Sequence, residues 1–125
     1  MKYACLIYLD EDAPAAQQAL EKLLEGLRAA GKAGSAAVLE PSASATSLRR
    51  RGGAASVVTG PAGCGRELLA ALVVIDAQDL DASLASAARL SSSPLDIEVR
   101  PVKGRARCGP RRMTLGKIVP LQARD

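Results

Sequence analysis

Histidine, phenylalanine and tryptophan are absent from this 125-residue chain, and Tyr3 and Tyr8 are its only aromatic residues. Without histidine there is no Ser-His-Asp or Cys-His catalysis, no histidine-based zinc site and no imidazole acid-base chemistry near neutral pH. Any catalysis must use carboxylates, Lys, Arg, Tyr or Cys. The shortage of rings also thins the core, because 24 of the hydrophobic residues are Ala. A fully buried Leu or Val contributes about 1.5–3 kcal/mol and Ala much less. One Ala-rich layer of helices on a sheet therefore calls for a second apolar contact surface, and a symmetric homodimer is the commonest way to provide it.

Cysteine is scarce as well. Cys5, Cys64 and Cys108 are odd in number and contain no short-range pair, which supports neither a disulfide framework nor a zinc spacing. No metal and no cofactor is expected. Cys5 falls in an apolar stretch and reads as core. Cys64 lies in Gly63-Cys64-Gly65-Arg66, where the neighbouring cation could lower a thiol pKa, although without a histidine base the plainer reading is a small residue in a tight loop. There is no basic start followed by an apolar signal stretch, and no apolar run of membrane-spanning length. The expectation is a cytoplasmic protein with no membrane partner.

The net charge of +4 is unevenly distributed. Residues 1–99 carry nine Lys/Arg and twelve Asp/Glu, a balance of −3, whereas residues 100–125 carry eight Lys/Arg against Asp125 alone, a balance of +7. The division expected from this is a domain over 1–103 and a basic extension over 104–125. Such an extension could engage nucleic acid through counterion release. It lacks the aromatics that stack on bases, and its Met113, Leu115, Ile118, Val119 and Leu121 want burial, as in a strand added to its own or a partner subunit.

Along the chain, Met1 to Leu9 alternates Tyr3, Cys5, Ile7 and Leu9 with Ala4, Leu6 and Tyr8, a strand apolar on both sides. Pro14 suits the first turn of a helix whose Leu20, Leu23, Leu24 and Leu27 form one stripe until Gly31. Ser35 to Leu39 reads as a short strand, and Glu40-Pro41-Ser42 through Ala45 as a loop. Thr46 to Arg51 and Ala54 to Thr59 flank Gly52-Gly53 as a hairpin; its Arg49, Arg50 and Arg51 read either as an anion clamp or as charges that keep a sheet edge soluble. Leu68 to Ile75 reads as a buried strand. Asp79 is placed to cap a helix from Leu80 to Leu90 that faces inward with Leu80, Leu84, Ala87 and Ala88. In the final strand, Leu95 to Val102, the residues Leu95, Ile97 and Val99 alternate with Asp96, Glu98 and Arg100. This order predicts an α+β domain of the ferredoxin-like, split βαβ kind, an antiparallel sheet with two helices on one face.

Several of these segments resemble the YCII-related proteins, in particular the branch with an Asp-Gly-Pro-Phe (DGPF) motif. Met1-Lys2-Tyr3-Ala4-Cys5-Leu6-Ile7-Tyr8 is similar to the opening strand of that family and Val58-Thr59-Gly60-Pro61-Ala62 to its motif. Ile75-Asp76 with Asp79-Leu80-Asp81 is similar to its strand-to-helix step, and Glu98-Val99-Arg100-Pro101-Val102 to its last strand. The resemblance implies a dimeric α+β barrel with a cleft lined by the motif loop and nearby strand ends. It also brings two functional associations, with small-molecule lyases and oxygenases of the wider fold and with alternative sigma factors. Thr59 stands where the motif has Asp and Ala62 where it has Phe, and the His-Asp pair suspected in the wider family is impossible here.

A retained Gly60-Pro61 turn with lost polar side chains points to a preserved scaffold. The first reading is therefore a non-catalytic or degenerate small-ligand-binding or interaction module, with Tyr8, Thr59, Gly60, Pro61 and Arg100 around the ligand. A second is a weak, lyase-like small-molecule enzyme in which Arg100 holds an anion and Glu67 or Glu98 serves as base. Glu98 and Arg100 could equally pair with each other as neighbours on one strand face. A third is a nucleic-acid or sigma-factor accessory protein acting through the basic extension.

Overall fold

The computed structural model describes residues 1–63 and 65–104. Cys64 and the basic extension beyond Gly104, with the added-strand and nucleic-acid readings attached to it, lie outside the described residues. In chain order the elements are β1 (Lys2–Asp10), α1 (Ala16–Ala29), β2 (Ala33–Val38), a 3-10 turn (Ser42–Ser44), β3 (Thr46–Arg51), β4 (Ala54–Thr59), β5 (Glu67–Asp76), α2 (Leu80–Leu90) and β6 (Asp96–Pro101). Strands β2, β5, β1 and β6 lie side by side in that order, every neighbour antiparallel. Each strand-helix-strand unit is thus split by a strand of the other, the ferredoxin-like arrangement the sequence predicts.

The alternation in β1 carries the core. Tyr3, Cys5, Ile7 and Leu9 are buried and meet Ala71, Val73 and Ile75 of β5 and the Leu20, Leu23, Leu27 stripe of α1. Burial raises the pKa of the Cys5 thiol, so Cys5 is an inert core residue. The other face of β1 differs from the expectation of two buried sides. Ala4, Leu6 and Tyr8 are only half-buried, because both helices lie on the opposite face and no helix among the described residues covers this one. Across that open face the register places Leu72 beside Leu6, Val74 beside Ala4 and Leu69 beside Tyr8.

Two further details depart from the sequence reading. Helix α1 begins at Ala16 rather than at Pro14. Helix α2 keeps its Asp79 cap, whose carboxylate accepts from the Ala82 N–H at 2.8 Å, but turns Ser83, Ser86 and Ala87 inward and leaves Leu80 and Leu84 44% and 45% exposed. Small residues occupy this interface, and the Ser83 hydroxyl remains satisfied by donating to the Leu80 carbonyl at 2.7 Å. The hairpin matches its expected limits. Gly52 and Gly53 adopt φ of 55° and 88°, the positive values a tight two-residue turn needs. It forms a two-stranded sheet of its own, with Leu48, Val57 and Val58 exposed.

Candidate functional site

A cleft forms where the chain leaves β2 and where it enters β5. The Leu39 N–H bonds to the Ala70 carbonyl at 2.9 Å, and past Pro41 the chain folds into the 3-10 turn. Glu11 anchors that turn, accepting from the Ser42 N–H and the Ser42 hydroxyl, each at 2.7 Å. The Ser44 hydroxyl donates to the Pro41 carbonyl at 2.7 Å. Ala45 then reaches the motif, its carbonyl accepting the Gly60 N–H at 2.8 Å, while the Ser47 hydroxyl donates to the Gly60 carbonyl at 2.6 Å. Gly60 sits at φ 110°, a region side chains rarely adopt, and Arg49 holds the next bend by donating to the Ala62 carbonyl at 3.1 Å.

These contacts set the motif loop opposite the start of β5 and enclose a cleft of about 490 Å³. Its apolar wall is Leu39, Ala45, Pro61, Ala62, Leu68 and Leu69; its polar side chains are Tyr8, Glu40, Ser42, Ser44 and Glu67. This volume suits a small organic ligand. The Tyr8 hydroxyl donates to Glu98 Oε1 at 3.3 Å. Its pKa is raised by desolvation first and by the Glu98 carboxylate second, with Arg100 opposing. Glu67 is raised mainly by a hydrogen bond shared with the Asp96 carboxyl and by that group's charge, with smaller contributions from desolvation and Asp10. The register explains the crowding, since Asp10 pairs with Glu67 across β1 and β5, and Asp96 pairs with Tyr8 across β1 and β6.

Of the residues singled out in the sequence, Tyr8, Pro61 and Glu67 line the cleft together. Gly60 makes the turn beside it, and Thr59 is exposed opposite Thr46 at the base of the hairpin. Glu98 and Arg100 are exposed on neighbouring rows of the open face, opposite Leu6 and Ala4, and neither belongs to the lining. Glu11, Leu39, Glu40, Ser42 and Ser44 are additions that sequence reasoning missed. The loop-like composition of 40–45 gave no sign of a cleft wall, and no short-range signal ties Glu11 to a turn 31 residues away. Among the described residues, no group of three or more His, Cys, Asp or Glu side chains is arranged to hold a metal ion.

The YCII-related domain model matches residues 1–104. The chain belongs to the YCII-related family. No curated protein matches it. In this YCII-related protein the Thr59-Gly60-Pro61-Ala62 turn is compatible with the DGPF branch without distinguishing it. Among the described residues, no helix is long and apolar enough to cross a membrane.

Proposed function

We propose that this YCII-related protein is a dimeric small-ligand-binding module without a reaction of its own. The observation that carries this reading is the cleft of about 490 Å³ held open by the Gly60-Pro61 turn and walled mostly by apolar side chains. The open sheet face supports the dimer reading. Leu69 and Leu72 are each 39% exposed beside Leu6 and Val74, a patch that a second copy would cover. A fragment screen by ligand-observed NMR tests the binding reading, with Ala62→Trp filling the cleft from an exposed loop position. Hits lost in Ala62→Trp support it; an absence of hits, or hits indifferent to the substitution, overturns it.

A second reading is favoured by Glu67, which lines the cleft and whose pKa is raised by the neighbouring Asp96 carboxyl. A carboxyl held in that state could exchange a proton with a bound carbon or oxygen acid, as in a weak lyase-like enzyme. Turnover of any hit that disappears in Glu67→Gln while binding persists would establish this reading in place of the first.

A further inference from the structure

The three hydroxyls among the described lining residues are each turned so that they can only accept further hydrogen bonds. The Ser42 hydroxyl gives its proton to Glu11 at 2.7 Å, the Ser44 hydroxyl to the Pro41 carbonyl at 2.7 Å and the Tyr8 hydroxyl to Glu98 at 3.3 Å. Each oxygen is left with only lone pairs to offer. Glu40 and Glu67 add two carboxylates, and no Lys or Arg is among the described lining residues. The Arg49 guanidinium is taken up by the Ala62 carbonyl, and that of Arg66 lies 4.0 Å from Asp10. We infer that the cleft takes a ligand with a cationic amine head and a compact apolar body, the ammonium set between Glu40, Glu67 and the Tyr8 oxygen and the body against Leu39, Pro61 and Leu69.

This rests on the binding reading above and narrows it. Among the described lining side chains an anionic ligand would meet two carboxylates and no cation, whereas an ammonium supplies three donors to these acceptors and offsets the negative charge that Asp96 and Asp10 add near Glu67. Arg100, the residue that would favour an anion, stands outside the lining.

The test compares phenethylamine, phenethyl alcohol and phenylacetate, which share one apolar body, by calorimetry or NMR titration of the full chain. The amine is expected to bind about tenfold or more tighter than the alcohol, and phenylacetate more weakly than either. In Glu40→Gln/Glu67→Gln, amine and alcohol should bind alike; the single Glu67→Gln variant gives an intermediate preference and serves if the double variant unfolds. Phenylacetate binding as tightly as the amine overturns the inference, as does a preference for amine that survives in the double variant or in Ala62→Trp. Alcohol and amine binding equally to the unmodified protein, with both lost in Ala62→Trp, sinks the amine inference but leaves the binding reading intact. No binding by any of the three overturns both.

Discussion

Gly60 has φ 110°, and a methyl group added there would meet no atom within 4 Å. The cost of Gly60→Ala is therefore backbone strain alone, about 1–3 kcal/mol, and thermal unfolding should show a lowered Tm together with loss of cleft ligands. Two exposed carboxylates should shift the pH dependence of stability in opposite directions. Asp76 is held low by its 2.9 Å hydrogen bond to Lys2, so its contribution is present above the ordinary value of 3.8 and fades as pH falls through the folded value. Asp76→Asn should therefore lower stability at neutral pH, with the deficit closing in acid. Glu67 is held high by Asp96, so the fold gains as it protonates and loses as pH rises from 4.5 through the folded value. Glu67→Gln should be the more stable protein at neutral pH and equal to the parent in acid. Denaturant titrations across this range check both signs. Of these features the sequence reveals the Gly60-Pro61 turn, because only backbone chemistry is involved. The Glu67–Asp96 contact depends on two strands 29 positions apart being neighbours of β1, and no local pattern shows that.

At the scale of elements, legibility follows periodicity. The leucine stripe of helix α1 is readable from the sequence, whereas β1 offers two apolar rows and only the structure shows that Tyr3, Cys5, Ile7 and Leu9 meet it. Helix α2 is short, and its apolar periodicity favours the Leu80 and Leu84 face. There the fit of small side chains against its neighbours decides, and Ser83 goes in while Leu84 stays out. Substitutions should separate the two helices. Leu23→Ala removes a side chain only 1% exposed and should cost about 2–5 kcal/mol. Leu84→Ala should change stability by no more than about 0.5 kcal/mol. Chemical denaturation of the two variants side by side checks this, and equal losses would place Leu84 in a contact that the described residues do not make. The hairpin limits were legible because Gly52-Gly53 dictates the turn locally, but its separation from the main sheet was not. Alternation marks a strand without naming its neighbours.

The whole molecule is asymmetric in a way that composition anticipates. With so many alanines and no large rings beyond two tyrosines, both described helices and the fully buried leucines among the described residues serve one face of the sheet, and these residues leave the second face with an apolar centre rimmed by charge. Lys2 and Asp76 pair at one end, while Asp10, Glu67 and Asp96 gather at the other, beside the cleft. Two copies related by a two-fold axis would bury the Leu6, Leu69, Leu72 and Val74 patch and bring each cleft to the edge of the shared interface. Leu72→Lys tests this at the patch centre, since a lysine stem can lie along the half-exposed surface and keep its ammonium in water when the protomer is alone, but must be desolvated when a second sheet closes over it. The expected result is a monomer by sedimentation velocity at concentrations where the parent is a dimer, with far-UV circular dichroism unchanged. A parent protein that is monomeric throughout, or a variant that dimerises as well as the parent, would mean that the open face meets water, and the cleft would then have to bind its ligand within one chain.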